Sequence, residues 1–423
     1  MKNHRVAIVG GGFGGLYAAK ALGKAPVELT LVDRRNFHLF QPLLYQVATG
    51  GLSPGEIASP LRAVLRRHRN TEVLLAEAVD FDVAGRRVIL KDGAVPYDDL
   101  IVASGATHSY FGHDDWHTLA PGLKTIEDAT EIRGRVLAAF EHAERETDPE
   151  RRHEWLTFVI VGGGATGVEL AGALGEIAND TLRHDFRHIN PAESLILLVE
   201  GEDRVLPSFP PDLSRKAAAQ LEDLKVTLRL NARVTAIDCA GVAIESEGAA
   251  ERVPARTVLW AAGVRASTLG KKLAERTGVA LDRAGRVLVE PDLSLPGHPE
   301  IHVIGDLASF THQGGKPLPG VAPVAMQQGR YVANLIRTKL RGGSMKPFHY
   351  FDKGNLATVG RNKAVADFGF AHVAGFPAWF LWVFVHLMYL VEFENRMLVF
   401  VEWVYNYITR NRGARLITGG GKR

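Results

Sequence analysis

Two stretches of this chain share one pattern, in which a short apolar strand runs into a glycine-rich turn and then a helix. They read "RVAIVGGGFGGLYAAKAL" and, about 150 residues later, "LTFVIVGGGATGVELAGAL". In this pattern the first glycine permits a tight turn, the second lets backbone approach a pyrophosphate, and the third lets the helix pack on the strand. The helix N-terminus then presents unpaired N–H groups to the phosphates. The glycines at these positions are Gly10, Gly12 and Gly15 in the first stretch and Gly162, Gly164 and Gly167 in the second.

An acidic residue follows each glycine turn at the end of the next predicted strand. The strand "VELTLVD" ends at Asp33, 23 residues after Gly10, and "LILLVEGEDR" contains Glu200, 38 residues after Gly162. A carboxylate at this place can accept hydrogen bonds from both hydroxyls of a ribose. We attribute the longer second gap to an insertion around "RHDFRHINPAE". Glu200 favours NADH because a 2′-phosphate would meet like charge, although the nearby Arg204 weakens that preference.

Two such turns predict an α/β fold with two Rossmann-like dinucleotide-binding domains. One domain would hold FAD non-covalently, and the other would bind NADH as a substrate that comes and goes. The segment "EIHVIGDLASF" supports the flavin assignment, because it is an apolar strand that ends in Gly305 and Asp306. An acidic residue at that strand end could hydrogen-bond the ribityl chain of FAD, whereas in isolation it would be an ordinary strand-end turn.

The composition excludes several classes of function. A net charge of +3 is too small to indicate a nucleic-acid partner. The single cysteine, Cys239, excludes a disulfide framework and cysteine-based metal clusters, and we predict no metal site. Cys239 lies in "VTAIDCAGVAI", where we expect a small core residue. The N-terminus runs directly into a strand with no apolar secretory segment, which predicts a cytoplasmic protein.

Several longer motifs accompany the glycine turns, and "FQPLLYQVATG" and its combination with "AAGVRAS" are much narrower than the turns. The longer motifs include "FHLFQPLLYQVATGGLSP", "LWAAGVRAS", "GVAPVAMQQGRYVA" and "FDKGNLATVGRNKAV". On these motifs the whole chain resembles the two-dinucleotide-binding-domain flavoproteins and, among them, the type II NADH dehydrogenases, which are single-subunit NADH:quinone oxidoreductases. The resemblance implies that two electrons pass from NADH through FAD to a membrane quinone. Because the sequence predicts no spanning helix that could carry protons across a bilayer, we predict an enzyme that does not pump protons.

The resemblance also implies an interleaved order of domains. The FAD-binding domain would take residues 1–115 and return at 295–340, with a connector and the NADH-binding domain at 116–294. A C-terminal region with amphipathic membrane-anchoring helices would follow at 341–423. The further cofactor-binding positions that the resemblance implies are Phe13, Gly14, Arg34, Pro42, Gln46, Val79, Ser104, Gly105, Val324, Ala325, Thr166, Ala262 and Gly263.

Three side chains are implied to act near the flavin. Glu169 would order the complex or relay protons, although favourable placement at a helix N-terminus also explains a carboxylate there. Lys353 would stabilise the negative charge of the reduced flavin, or it is a solvated loop lysine. Gln327 would hold a flavin or quinone oxygen, or it is a surface amide. Tyr45 would border the isoalloxazine ring together with Pro42 and Gln46, or it serves packing alone.

The quinone-pocket pattern of the family is only partly present. The pattern is alanine, glutamine, any residue, alanine, any residue, glutamine, and Ala322, Ala325 and Gln327 match it. Pro323 stands where the first glutamine is expected. Proline offers no side-chain amide to a quinone carbonyl, and it fixes the first turn of a helix. The detailed quinone contact is therefore left open.

The scarcity of cysteine narrows the choice of electron acceptor. With one cysteine, the chain has neither the cysteine pair nor the flavin-side cysteine of thiol-dependent reductases in this superfamily. A lipid-soluble quinone remains, and the apolar stretch "FPAWFLWVFVHLMYLV" suits a protein whose substrate dissolves in a membrane. Two rival hypotheses are a soluble NAD(P)H-dependent reductase with a non-quinone acceptor and a nucleotide-binding redox sensor.

The C-terminal sequence predicts two short amphipathic helices, at 378–396 and 397–412. Neither offers the roughly 20 consecutive apolar residues of a spanning helix. We therefore predict monotopic attachment of residues 376–412 to the cytoplasmic face of the inner (plasma) membrane, and a homodimer; core or dimer-interface helices are the alternative. The residues that favour a lipid boundary are Trp379, Trp382 and Trp403, and those that would attract anionic lipid are Arg410, Arg412, Arg415, Lys422 and Arg423.

Overall fold

A computed structural model describes residues 4–418 of the chain. Helices and strands alternate over much of this range, as expected for the predicted α/β class. The helices are α1 Phe13–Leu22, α2 Leu44–Ala48, α3 Leu61–Leu65, α4 Ile126–Arg145, α5 Pro149–Trp155, α6 Ala165–Glu176, α7 Pro211–Glu222, α8 Thr268–Thr277, α9 Ala322–Lys339, α10 Phe376–Tyr389 and α11 Phe393–Thr409.

The strands form several separate sheets, most of them small. The strands are β1 His4–Val9, β2 Val27–Asp33, β3 Phe37–Leu39, β4 Ala58–Pro60, β5 Thr71–Leu75, β6 Ala78–Asp82, β7 Arg87–Leu90, β8 Gly93–Pro96, β9 Asp99–Val102, β10 Ala106–His108, β11 Thr157–Val161, β12 Leu195–Val199, β13 Val226–Arg229, β14 Ala232–Asp238, β15 Gly241–Ser246, β16 Ala249–Pro254, β17 Thr257–Trp260, β18 Val264–Ala266, β19 Val287–Leu288, β20 Ser294–Leu295, β21 His298–Val303, β22 Ala308–Ser309, β23 Asn355–Gly360, β24 Lys363–Asp367 and β25 His372–Ala374.

The chain divides into two compact units. The first comprises Met1–Leu39, Ala58–Thr107 and Val264–Lys353, and the second comprises Phe40–Ile57, His108–Gly263 and Gly354–Arg423. Each unit is assembled from three separate stretches of the chain. The segment 264–294 groups with the first glycine turn, because α8 packs on β6. The segment 40–57 groups with the second glycine turn, because α2 packs on α4 and α6.

The first unit is built on a six-stranded sheet in the order β20-β21-β9-β1-β2-β5. β1 pairs in parallel with both β2 and β9, and its apolar residues Val6, Ala7 and Ile8 are fully buried, as a central parallel strand requires. Helix α1 packs against α9 at close range. A Cβ on Gly329 would collide with the carbonyl oxygen of Gly14, so glycine at this crossing permits backbone contact.

The second unit contains a four-stranded parallel sheet in the order β13-β12-β11-β17. Every residue of β11 is buried, and α6 follows it after the second glycine turn. Helix α6 also packs on β23, so closely that a Cβ on Gly172 would collide with the carbonyl oxygen of Val359. This contact brings the strand that contains Thr358 alongside the helix that carries Glu169.

The C-terminal region forms two helices whose boundaries differ from the prediction. We expected one helix over 378–396, but α10 ends at Tyr389 and α11 begins at Phe393. Leu390 takes an extended conformation between them, and the Arg396 guanidinium donates to its carbonyl oxygen at 2.7 Å. Within residues 4–418 no helix combines the length and the apolar character needed to cross a bilayer.

Cys239 is exposed, so the expectation of a core residue was wrong. Strand β14 ends one residue earlier at Asp238, and Cys239 and Ala240 form the tight turn into β15. The Asp238 carboxylate accepts the Ala240 N–H at 2.8 Å, which stabilises this turn. The strand-like sequence continues on both sides, and the turn itself carries few signals that distinguish it from a strand.

Candidate functional site

The first glycine turn has the geometry that a pyrophosphate site needs. Gly10 has φ +103°, which L side chains rarely adopt, and a Cβ on Gly15 would collide with the Gly10 carbonyl oxygen. Gly12, at the N-terminus of α1, has open space where its Cβ would be. The turn therefore requires two of its glycines for its own packing and leaves the third free for the close approach of a ligand.

The second glycine turn repeats this geometry. Gly162 has φ +108°, and a Cβ on Gly167 would collide with the Gly162 carbonyl oxygen. Gly164 is the N-cap residue of α6 and, like Gly12 in the first turn, has no neighbouring atom within 4 Å of the place that a Cβ would occupy. The same division into two packing glycines and one open glycine is present in both units.

The acidic residues at the strand ends hold these turns together. One oxygen of the Asp33 carboxylate accepts the Gly11 N–H, and the other accepts the Arg35 N–H at 2.7 Å. Likewise, one oxygen of the Glu200 carboxylate accepts the Gly163 N–H, and the other accepts the Glu202 N–H. Burial raises the pKa of Asp33 above its ordinary value. Sequence reasoning assigned these carboxylates to ribose hydroxyls and missed that each also binds the middle glycine of its turn.

The residues of the first unit fit a flavin dinucleotide. Ser104 lies against Gly10, and its buried hydroxyl has no hydrogen-bond partner within the described part of the chain. A cavity of about 90 Å³ is lined by Gly305, Asp306, Val324 and other residues of this unit. The Ser104 hydroxyl, beside an open glycine turn, is therefore available to hydrogen-bond a polar ligand.

Gln328 is a residue of this cavity that sequence reasoning missed. Its side chain is buried, and its Oε1 accepts the Gly305 N–H at 2.7 Å, which fixes the turn that carries Asp306. Gly305 itself has φ +71°. A glutamine on the buried face of α9 could have been suspected from the helix pattern, but the sequence drew attention to Gln327 beside it.

The other predicted cofactor positions of the first unit lie on the elements around these features. Phe13 begins α1, Arg34 is exposed just after β2, Val79 lies on β6, Gly105 follows β9 with φ +68°, and Ala325 is buried on α9. In the second unit, Thr166 lies in the first turn of α6, the Ala262 N–H lies against Gly162, and Gly263 lies beneath the Phe111 ring.

Arg204 is engaged within its own loop. Its guanidinium donates to the Pro207 carbonyl oxygen and to the Asp203 carboxylate, both at 3.3 Å. A guanidinium that is held this way is less available to a 2′-phosphate.

Gln327 and Pro323 lie on α9, where Pro323 occupies the first turn, as expected. Both ends of the Gln327 amide bind the backbone of Phe351: its Nε2 donates to the carbonyl oxygen at 2.9 Å, and its Oε1 accepts the N–H at 3.0 Å. Gln327 thus fixes the loop that contains Lys353, whose side chain is exposed.

A second cavity, of about 130 Å³, lies entirely within the second unit. Glu169 lines it, and burial raises the pKa of this carboxyl to about 8, while the Thr358 backbone N–H donates to it. At neutral pH the Glu169 side chain is therefore a neutral acid that can give up a proton. Tyr45 and Trp382, both buried, form part of the aromatic wall, with ring centroids 6.4 Å apart.

A chain of hydrogen bonds joins α11 to Tyr45. Trp403 Nε1 donates to Gln46 Oε1 at 2.7 Å, and Gln46 Nε2 donates to the Tyr45 hydroxyl at 2.9 Å. Burial raises the pKa of Tyr45 well above its ordinary value, so its hydroxyl stays protonated. Gln46 and Tyr45 thus contribute to this cavity, next to Pro42 in the preceding 3₁₀ turn.

The chain is 47% identical over 425 residues to the type II NADH:quinone oxidoreductase Ndh of Mycobacterium tuberculosis, an alignment that covers 99% of this chain and 91% of that relative. This chain belongs to the type II NADH:quinone oxidoreductase family. A family model described as pyridine nucleotide-disulphide oxidoreductase matches residues 4–329, and one described as the NDH2 C-terminal domain matches residues 353–411. The resemblance seen in the sequence and the two-nucleotide α/β fold class are confirmed.

One solved structure and a further sequence relative match this family member over most of its length. The NDH2 of Plasmodium falciparum in complex with NADH superposes with a TM-score of 0.89 at 21% identity, covering 99% of this chain and 100% of that one. The type II NADH:quinone oxidoreductase of Staphylococcus aureus is 29% identical over 382 residues, covering 89% of this chain and 92% of that relative. The similarity therefore extends through the C-terminal region as well as the two nucleotide folds.

The tryptophans of the C-terminal region do not all lie where we expected in this family member. Trp382 is 2% exposed, and Trp403 donates its indole N–H inside the protein. The assignment of these two residues to a lipid boundary was wrong, because they face the cavity on the inner side of their helices.

The basic residues of the tail are also placed differently. We expected them to attract anionic lipid, but each described one binds a carboxylate of the α6 end and the segment after it. The pairs are Arg410 with Asp180, Arg412 with Glu176 and Arg415 with Asp185. Lys422 and Arg423 lie outside the described residues.

An exposed apolar face covers the outer side of α10 and α11. Phe376, Phe380, Phe384 and Met388 recur every four residues on α10, and each is more than half exposed. On α11 the exposed apolar residues are Met397, Leu398, Phe400, Val401, Val404, Tyr405, Tyr407 and Ile408. Monomeric soluble proteins rarely expose a contiguous apolar face of this kind, and such faces mark binding surfaces.

Proposed function

We propose that this chain catalyses NADH + H⁺ + quinone → NAD⁺ + quinol, with the cavity beside Glu169 as the site of the quinone. The observation that carries this proposal is the Glu169 carboxyl, which is buried at the wall of a cavity that Tyr45 and Trp382 also line. A quinone ring suits such a wall, and its reduction to a quinol consumes protons. Family membership supplies the reaction class.

The two glycine turns divide the nucleotides between them. We assign FAD to the unit with Gly12, Ser104 and Asp306, and NADH to the unit with Gly164 and Glu200. The chemistry supplied by bound FAD is the acceptance of a hydride from NADH and the release of two electrons to an acceptor. The protein's part is to bind, to orient and to deliver protons.

Glu169 has the properties of the proton donor in quinol formation. Its pKa of about 8 keeps it protonated at pH 7 and still lets it ionise after giving up a proton. The Thr358 N–H that binds the carboxyl also stabilises the carboxylate that remains. The Tyr45 hydroxyl and the Gln46 amide lie on the same wall and can orient a bound ring.

The exposed apolar face gives this reaction a route to a lipid-soluble substrate. We propose that the face formed by Phe380, Phe384 and their neighbours lies in the membrane interface, with α10 and α11 in the interface plane. Attraction then comes from apolar burial, because the arginines at 410, 412 and 415 are engaged with carboxylates.

Membrane attachment is tested by co-sedimentation with vesicles of neutral lipid. Phe380→Asp together with Phe384→Asp should abolish pelleting, because two charges would have to enter the apolar layer. Phe370→Asp is the matched control, since this phenylalanine is 91% exposed but lies in the turn between β24 and β25. Equal pelleting of the wild type and the double variant would refute the assignment.

The reaction is tested by anaerobic stopped-flow on the purified protein. NADH should bleach the flavin, and a short-chain naphthoquinone in detergent should restore its absorbance. Bleaching without restoration would contradict the quinone assignment and favour another acceptor. Absence of bleaching would contradict the enzyme assignment and favour a nucleotide-binding sensor.

The side of the membrane, the oligomeric state and the absence of proton pumping stay predictions. The protein attaches to the cytoplasmic face of the inner membrane, which protease accessibility in inverted and intact vesicles would check. It forms a homodimer, which sedimentation in detergent would check. It does not pump protons, and quinone-linked proton uptake into sealed vesicles would contradict this.

A further inference from the structure

Two buried polar atoms in the Glu169 cavity have no hydrogen-bond partner within the described residues. They are the indole Nε1 of Trp382 and the amide Oδ1 of Asn406. Both residues line the cavity, and Trp382 is 2% exposed. A buried N–H without an acceptor destabilises a fold, so an orphan donor at a cavity wall indicates a ligand.

Other polar side chains of this cavity are paired. The Gln46 amide binds both Trp403 and Tyr45, and the Arg412 guanidinium binds the Glu176 carboxylate. Asn406 uses its Nδ2 to donate to the Gly51 carbonyl oxygen at 3.1 Å, which leaves only its oxygen unsatisfied. The unsatisfied atoms are thus one donor and one acceptor on the same cavity wall.

The orphan donor is held in a fixed position. The Trp382 ring stacks on His386 with centroids 4.2 Å apart, and the His386 ring donates to the Trp382 carbonyl oxygen at 2.7 Å. Trp403 packs against the same indole, with ring centroids 5.5 Å apart. Burial lowers the pKa of His386 to about 4, so the stacked imidazole is neutral at pH 7 and adds no charge to the cavity.

We propose that Trp382 Nε1–H donates to a carbonyl oxygen of the bound quinone and that Asn406 Oδ1 accepts a hydroxyl hydrogen of the quinol product. This inference rests on the proposed function. A quinone has only acceptors on its ring, whereas a quinol also has donors. One donor and one acceptor therefore allow the cavity to bind both forms, with Trp382 contributing more to the substrate and Asn406 more to the product.

The test measures reoxidation of the reduced flavin against the concentration of a short-chain naphthoquinone. Trp382→Phe keeps an aromatic ring for the His386 stack and removes the N–H. We expect the half-saturating quinone concentration to rise about tenfold, with bleaching by NADH unchanged. Trp155→Phe is the matched control, because Trp155 likewise stacks on a histidine, His142, with ring centroids 4.4 Å apart, but does not line this cavity; we expect less than about a twofold change there.

Asn406→Leu tests the product side independently. It should raise the inhibition constant of the corresponding naphthoquinol several-fold, while the half-saturating quinone concentration changes less than about twofold. An unchanged quinone half-saturation in Trp382→Phe, or an equal rise in Trp155→Phe, would overturn the inference. If quinone fails to reoxidise the wild-type flavin, the proposed function itself is wrong, which distinguishes the two failures.

Discussion

Arg412 donates to the Glu176 carboxylate at 2.7 Å, and only 12% and 18% of these two side chains is exposed. The same guanidinium donates to the Thr49 hydroxyl at 2.7 Å, and the other oxygen of Glu176 accepts the Arg361 N–H. One ion pair thus joins the C-terminal segment to α2, α6 and the turn after β23. All of these segments border the Glu169 cavity.

Arg412→Leu should lower the free energy of unfolding by about 3 kcal/mol, because it leaves the largely buried Glu176 carboxylate without its cation. Arg412→Lys keeps the charge but loses the forked contact, so an intermediate loss is expected. Urea unfolding followed by circular dichroism measures both. Arg410→Leu is the control, since its pair with Asp180 is more exposed, and we expect a change below about 1 kcal/mol. Equal losses in the two leucine variants would contradict this account.

Glu169→Gln should slow reoxidation of the flavin by quinone about 100-fold, because the amide cannot give up a proton. Bleaching by NADH should change little. In the wild type, reoxidation should slow as pH rises through about 8, since the carboxyl then loses its proton before quinone binds. The glutamine variant should lack this dependence, and stopped-flow between about pH 6 and about pH 9.5 measures it. A pH profile identical in both proteins would show that another group delivers the proton.

Gly164→Ala and Gly167→Ala should separate binding from folding in the second glycine turn. The first adds a methyl group to open space, so the fold should persist while KM for NADH rises about tenfold. The second forces a Cβ into the Gly162 carbonyl oxygen and should lower stability by about 1–3 kcal/mol. Thermal melting and steady-state kinetics on both variants distinguish these effects. Normal NADH kinetics in Gly164→Ala would mean that no ligand approaches this glycine.

Acid should destabilise the first unit through His38 and His302. Burial lowers the pKa of each to about 4, against an ordinary value of 6.5. As pH falls from 6.5 towards 4, the unfolded chain binds protons that the folded chain does not, so stability falls over this window. His38→Gln keeps a side-chain donor near the Gly11 carbonyl oxygen and should reduce the loss. Urea unfolding at about pH 7 and about pH 5 measures it, and equal pH sensitivity of variant and wild type would exclude His38 as a source.

The two glycine turns could be predicted because each is encoded by a short run of sequence. A strand, a positive-φ glycine and a helix start follow one another within about ten residues, and the acid at the next strand end has one obvious position. The second role of Asp33 and Glu200, binding the middle glycine, was not visible. It depends on how parallel strands align, which the order of residues does not state.

The Glu169 cavity could not be predicted to the same degree. Trp403 and Gln46 are hydrogen-bonded although 357 positions separate them. The sequence identified aromatic and basic residues near the C-terminus, but the same composition suits a lipid-facing or an inward-facing side of a helix. Similarly, Gln327 and Gln328 are adjacent, and only the orientation of α9 determines which amide is buried.

The single thiol in the turn between β14 and β15 provides a unique attachment point for a probe. Because Cys239 is exposed and the chain contains no other cysteine, a maleimide spin label or fluorophore would modify the native sequence at one defined place. Quenching by lipids labelled at known depths would then report how far this turn lies from a bilayer. Orientation at the membrane could thus be measured without first removing or adding any residue.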